Sequence, residues 1–207
     1  MIRFKLPLLI VSLFLVAFAV GAFLQKYYSK ADQPRPNNSS LNQPEKLAAQ
    51  AQRSEIRSGD GTVTLISKVE SKPDQSQDYS FFVANLSGND QTERLIFTRT
   101  LAAGGNISLP GNSWSPDNKY LFLKEKDQTG SINFLVLKAS GEAFADGEQY
   151  LDVISQFSQK MPGYLLQDAT GWASPTLLNI TTMTENGTKK GPSYWLEVTS
   201  GAILMHR

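Results

Sequence analysis

Residues 114–122 read Trp-Ser-Pro-Asp-Asn-Lys-Tyr-Leu-Phe, and this stretch decides the fold class. Proline fixes its own φ angle and Asp-Asn tolerates tight conformations, so residues 116–118 predict a turn. Tyr120 and Phe122 lie on one face of the strand that follows, and Leu121 lies on the other. A strand that is apolar on both faces is typical of one buried between two layers. The stretch therefore predicts a turn that leads into a buried β-strand.

The chain from residue 58 onward repeats this pattern, because short apolar stretches alternate with Gly, Asn, Asp and Pro. Short runs bounded by turn residues are typical of strands. The sequence predicts strands at Thr62–Val69, Tyr79–Leu86, Arg94–Thr100, Lys119–Lys124, Ile132–Leu137, Thr176–Met183, Tyr194–Val198 and Ala202–Met205. In one other segment, Glu148–Lys160, apolar residues share one helical face and predict a short helix whose apolar side packs on the sheets.

The predicted strands fall into three similar units. Each unit ends on a Ser-Gly pair, with the glycines at positions 88, 141 and 201. The start of the first unit, Ser58–Leu65, aligns with Ser115–Phe122 in the second. The third start, Trp172–Leu178, has a shorter turn and keeps the tryptophan. A period of about 40–60 residues built from short strands is typical of propeller-type repeats.

Residues 114–122 resemble the W-S-P-D-G-K-x-I-A-F motif of TolB-like, WD40-like β-propeller repeats, with Asn118 in place of the motif glycine. Residues 134–141 resemble the third strand of that repeat, and Arg94–Thr98 resembles its fourth. The resemblance covers about three units, Ser58–Arg207. It implies an all-β domain of three TolB-like propeller-blade units, forming an open or incomplete propeller with one short helix.

The resemblance also assigns structural repeat positions to residues of the second and third units. These are Trp114, Ser115, Pro116, Asp117, Trp172, Ser174 and Pro175. We expect the two tryptophans to pack between neighbouring sheets. The alternative is that they form a platform for a ligand. Because a closed propeller has about 4–8 blades, three units would leave two apolar faces uncovered, which predicts self-association or a protein partner.

The N-terminal segment carries a nearly unbroken apolar run of 19 residues, Leu6–Leu24. As a helix this run is about 28 Å long, close to the thickness of a bilayer's hydrocarbon core. Arg3 and Lys5 precede it, which favours a cytoplasmic N-terminus. Residues 1–28 therefore predict a transmembrane anchor, and the remainder is expected outside the cytoplasm. A cleaved signal peptide is the alternative, although its small-residue cleavage sites would lie inside the apolar run.

Residues 29–57 are rich in Pro, Asn, Gln and Ser and predict a flexible linker, since they bury too little apolar surface to fold. Within this linker, residues 47–57 are compatible with two or three turns of helix or with loose chain. The linker joins the anchor to the predicted repeat domain at residues 58–207.

Composition excludes several kinds of site. The chain has no Cys, one His (His206) and a net charge of +1. Thiolate chemistry, histidine metal sites and general nucleic-acid binding are therefore not expected. Ser-x-x-Lys, Gly-x-Ser-x-Gly and phosphate-loop motifs are also missing, so we predict no enzyme activity and no cofactor or metal. Scattered carboxylates, such as Asp78 and Asp152, could pair for glycoside hydrolysis only if the fold brought them together.

The resemblance implies a membrane-anchored, extracytoplasmic module that binds or scaffolds proteins of the cell envelope. The lack of Cys fits a bacterial envelope protein. Two alternatives stay open: a non-catalytic propeller domain that supports a partner hydrolase, and a glycan-binding module that uses exposed aromatic residues such as Tyr164 or Trp195.

Overall fold

The computed structural model describes residues 51–87 and 92–206, and these form three four-stranded antiparallel sheets, each built from consecutive strands. The first sheet contains β1 (Gln52–Arg57), β2 (Val63–Ser71), β3 (Gln77–Asn85) and β4 (Arg94–Leu101). The second contains β5 (Asn106–Ser108), β6 (Tyr120–Lys126), β7 (Ile132–Lys138) and β8 (Tyr150–Asp152), followed by the helix α1 (Val153–Lys160). The third contains β9 (Tyr164–Trp172), β10 (Leu177–Thr184), β11 (Tyr194–Glu197) and β12 (Ala202–Met205). The predicted all-β class with one short helix agrees with this part of the chain.

The second sheet lies between the other two and is apolar on both faces. Leu121 packs in a first core with Leu65 and Phe81 of the first sheet. Phe122, the next residue of β6, packs in a second core with Leu178 of the third sheet. Leu121 and Phe122 are both fully buried. The buried strand predicted after the 116–118 turn is therefore present, and its two faces join three sheets into one stack.

The sequence missed the first strand of every sheet. β1 lies within residues 29–57, the segment predicted to be a flexible linker, and it pairs with β2. The predictions of helix or of loose chain are therefore wrong for residues 52–57. These first strands are edge strands, paired on one side only. β1 and β5 are mostly solvent-exposed, and therefore lack the apolar alternation that identifies a half-buried strand.

The helix predicted over Glu148–Lys160 is shorter than expected. Residues 150–152 form β8, which pairs with β7 through Val136 and Leu151. The helix begins only at Val153, because Asp152 accepts a hydrogen bond from the Ser155 backbone N–H (2.8 Å) and so caps its first turn.

The predicted membrane anchor Leu6–Leu24 lies outside the described residues. Among those that are described, no helix reaches the length and apolarity that a membrane span requires.

Tyr194 is a buried residue in the second core with an unusual hydroxyl. Its ring contacts Phe157 (5.4 Å between centroids), but no residue of the described chain bonds to its hydroxyl oxygen. Burial raises the pKa of Tyr194, since a phenolate would be poorly solvated there. We expect Tyr194→Phe to raise the free energy of unfolding by about 1 kcal/mol or more, because it removes an unsatisfied buried group. Urea denaturation measures this change, and a lower stability of the variant would contradict it.

Candidate functional site

The turn of the 114–122 stretch is held by its own side chains. The Ser115 hydroxyl donates to Asp117 Oδ1 (2.9 Å), and the Lys119 backbone N–H donates to the same oxygen (3.2 Å). The Tyr120 backbone N–H donates to Ser115 Oγ (3.0 Å). Asn118 adopts a positive φ of 59°, the conformation for which the motif has glycine. Ser115 and Asp117 therefore fix the entry into β6.

The first sheet builds the same turn from Ser58 and Asp60. Ser58 Oγ donates to Asp60 Oδ1 (2.7 Å), as does the Thr62 N–H (3.0 Å), and the Val63 N–H donates to Ser58 Oγ (3.1 Å). These hydrogen bonds, with that from Ser58 the largest contribution, hold the pKa of Asp60 well below its usual range. Gly61 takes the left-handed position, at φ 71°. The aligned sequences therefore adopt one local geometry twice.

The third sheet has a shorter version of this turn. Ala173 N–H donates to the Leu177 carbonyl (2.8 Å), and Leu177 N–H donates to the Ser174 carbonyl (3.4 Å). Ser174 is half-buried, and Pro175 is exposed, as is Pro116 in the second sheet. These residues shape the turn through the backbone.

The two tryptophans connect their sheets to the preceding one. Trp114 Nε1 donates to the Ile56 carbonyl in the first sheet (3.2 Å), and Trp172 Nε1 donates to the Ser113 carbonyl beside the second (2.8 Å). Trp172 also stacks on Tyr120 (6.2 Å between centroids). The two acceptors occupy equivalent positions, because Ile56 lies two residues before Ser58 and Ser113 lies two residues before Ser115. The structure thus places both indoles in sheet-to-sheet contacts.

A cleft of about 450 Å³ lies where the first and second sheets meet, beside the Ser115–Asn118 turn. Arg94 crosses it and donates to the carbonyls of Ala139 (2.9 Å) and Ser140. Lys138, also in its lining, donates to the Ala143 carbonyl (2.7 Å). Because Arg94 and Lys138 are hydrogen-bonded to backbone carbonyls, the lining of the cleft serves to hold the two sheets together more than to bind a charged ligand.

The scattered carboxylates do not converge. Asp78 pairs with Lys72 (2.8 Å), whereas Asp152 caps α1. Asp146 accepts from the Glu148 N–H (3.1 Å). Within the described residues, no group of three or more potential ligands is placed to hold a metal ion. These described carboxylates therefore act in an ion pair, a helix cap and a turn.

The surface with the strongest binding character is the face of the third sheet that points away from the second. We call it the outer face of the third sheet. Leu165 and Leu204 expose 46% and 45% of their surface there. Trp195 lies between β10 and β12, opposite Asn179 and Leu204. Its members are Leu165, Leu177, Asn179, Thr181, Met183, Trp195, Glu197 and Leu204.

A polar pair occupies the middle of this outer face. Trp195 Nε1 donates to Asn179 Oδ1 (2.8 Å), and the Trp195 ring lies 4.6 Å from that of His206. The other candidate aromatic for glycan binding, Tyr164, instead packs against the second core, 6.2 Å from Tyr194. The structure therefore places the two aromatic residues named for the glycan-binding alternative on different faces of the third sheet.

Asn179 stands where the other sheets have core residues. Trp172 pairs with Leu178 in the third sheet, and Trp114 pairs with Leu121 in the second. Leu178 and Leu121 therefore occupy equivalent positions, and so do the residues that follow them. Asn179 therefore matches Phe122 of the second sheet, which is fully buried. The sequence alone did not place this residue on a binding face, because that signal appears only when the units are aligned by their strand pairing.

A search of protein-family models finds none that matches the chain, and a comparison with curated proteins gives no match either. The site is therefore interpreted from its own geometry.

Proposed function

We propose that the chain is a membrane-anchored protein whose extracytoplasmic β-repeat domain binds another protein of the cell envelope, as a TolB-like module with an open or incomplete propeller. The apolar run Leu6–Leu24 would supply the anchor, and the polar segment after it the tether. The exposed apolar side chains on the outer face of the third sheet carry this proposal. Exposed apolar patches on a folded domain mark interaction surfaces.

The packing between the sheets supports the choice of partner. The corresponding faces of the first and second sheets, with Leu65 and Phe122 at their centres, are each covered by the next sheet. The outer face of the third sheet has no such cover among the described residues. An additional β-sheet face would continue the same packing. We therefore take the partner to be another protein that presents an apolar β-sheet surface.

The composition of this face suits a contact that forms and separates. A permanent internal interface of this stack buries Leu or Phe at its centre, whereas the outer face has Asn179 there. Interfaces between proteins that also exist separately are about as polar as the rest of the surface. Leu165 and Leu204 would supply apolar contact, and the Asn179 amide would keep the free face soluble.

The experiment is site-specific photo-crosslinking of the full chain in its native membranes. A benzophenone amino acid replaces Leu204 or Leu165 on the outer face, and Ile132 of the second sheet serves as the control. Ile132 is also an exposed apolar strand residue, 39% exposed. We expect one adduct of the same mass at positions 204 and 165, and none at 132.

Three results would contradict the proposal. Equal adducts at all three positions would show non-specific contact, and none at 204 or 165 would leave the outer face without a partner. An adduct with the mass of two chains would identify a second copy as the occupant and overturn the choice of a different protein.

A further inference from the structure

The three sheets have six edge strands, and five of these are poor templates for an additional strand. A free strand edge offers unpaired backbone groups, which proteins protect by short length, charge or irregularity. β5 and β8 have three residues each and β12 has four. β9 contains two shifts in register, and β1 presents a charged residue at every second position from Arg53 to Arg57.

β4 is the exception. It has eight residues, and its pairing with β3 is regular from Phe97 to Leu101, after an irregularity opposite Phe81 and Phe82. Its two arginines do not protect the edge, because both are bound elsewhere in the stack. Arg94 donates to backbone carbonyls near the end of β7, and Arg99 pairs with Glu125 of β6.

The hydrogen-bond pattern shows which β4 groups face outward. In an antiparallel pair, alternate residues direct both backbone groups to the same neighbour. Leu86 N–H donates to the Thr62 carbonyl, and Lys72 N–H donates to that of Ser76, so the even-numbered residues of β3 face β2. Its odd-numbered residues, including Tyr79, face β4.

Tyr79 is opposite Arg99, so Arg99 directs its backbone groups toward β3. Thr98 and Thr100, on either side, must therefore direct theirs toward the free edge. Both threonines are solvent-exposed, and no backbone hydrogen bond from this edge to another described residue is present. Two adjacent ladder positions are therefore open.

A small cavity lies beside this edge. Its volume is about 170 Å³, and four consecutive β4 residues line it, Leu95 to Thr98, together with Gly141 and Gln149 of the segment between β7 and β8. Leu95 is 52% exposed at its mouth. The volume equals that of about six water molecules at roughly 30 Å³ each, enough to receive one apolar side chain. In strand addition, backbone bonds supply affinity and such pockets supply specificity.

We infer that the free edge of β4 takes up an extended segment of a partner protein as an additional strand, with one apolar side chain of that segment in the Leu95–Gln149 cavity. This site is separate from the outer face of the third sheet and does not depend on it. A second copy on this edge would be recognised by a dependence on chain concentration, which the hydrogen-exchange measurement below includes.

The test selects a phage-displayed library of random nine-residue peptides against the full chain in detergent. The selected peptides are then measured by fluorescence anisotropy. Thr98→Pro removes an outward N–H, which edge strands tolerate, whereas the control Thr98→Val retains it. We expect alternating apolar peptides whose affinity falls at least tenfold in Thr98→Pro and changes less than twofold in Thr98→Val.

A second measurement modifies the peptide instead of the protein, so its result does not depend on whether Thr98→Pro folds. Two versions of a selected peptide are made, one with its odd-numbered and one with its even-numbered backbone nitrogens methylated. One version should lose binding, because its methyl groups block the hydrogen bonds to β4, and the other should bind as before. Hydrogen exchange at Thr98 and Thr100 should slow when the unmodified peptide binds. An empty selection, equal binding to both variants, or exchange that slows with chain concentration alone would overturn the inference. The crosslinking result at Leu204 is independent of all three.

Discussion

Trp114→Ala is expected to lower the free energy of unfolding by about 3–5 kcal/mol, the usual cost of truncating a buried aromatic side chain. Trp114 is 8% exposed and lies in the first core. Its indole N–H also satisfies the Ile56 carbonyl on β1. The variant therefore loses packing area and one bond between sheets at the same point. Denaturant titration of the full chain in detergent measures the change.

Trp114→Phe separates these two contributions. It retains much of the apolar area but removes the indole N–H, so we expect a smaller loss than for alanine. Trp172→Ala provides a comparison at the equivalent position between the second and third sheets. A Trp114→Ala variant that unfolds like the parent but fails to bind its partner would show that the indole is a ligand platform.

Arg99→Met is expected to cost about 3 kcal/mol, by leaving a buried carboxylate without its partner. Glu125 has a side chain that is 9% exposed and accepts two hydrogen bonds from Arg99, from Nε and one terminal nitrogen, both 2.9 Å long. Removing one member of a buried ion pair costs about 3–5 kcal/mol. Arg99 is 32% exposed, which places the expected value at the low end of that range.

The double variant Arg99→Met/Glu125→Met tests this explanation. Replacing both members of a buried pair by apolar residues is often close to neutral. We therefore expect the double variant to regain most of the stability that Arg99→Met loses. A double variant as unstable as the single one would show that the loss comes from packing and not from the unpaired charge.

The strands in the middle of each sheet could be predicted from the sequence, because both their faces meet other side chains. β6 shows this most clearly, with Leu121 and Phe122 directed into different cores. The Ser115 and Asp117 turn could be predicted for a similar reason, since its hydrogen bonds join residues at most five positions apart. Patterns that arise from such local contacts are visible in the residues themselves.

The first strand of each sheet could not be predicted in this way. β1 consists of Gln-Arg-Ser-Glu-Ile-Arg and is held by its ladder to β2, which no side-chain periodicity reveals. The outer face of the third sheet was missed for another reason. Asn179 is unremarkable in a strand until strand pairing shows that it takes the place of Phe122. The polarity of Asn179 becomes informative only when it is compared with the equivalent residue in the preceding repeat unit.

Asn179 also sets the cost of covering the outer face of the third sheet permanently. A similar sheet with Leu or Phe at its centre, packed there as the third sheet packs on the second, would enclose this residue. The Asn179 oxygen is satisfied by Trp195, but a covering sheet of Leu and Phe would leave its amide hydrogens without acceptors. A buried unsatisfied polar group costs about 1–3 kcal/mol. Permanent cover of this face by an apolar sheet would therefore first require an apolar residue at position 179, so one side chain sets the cost of closing the face.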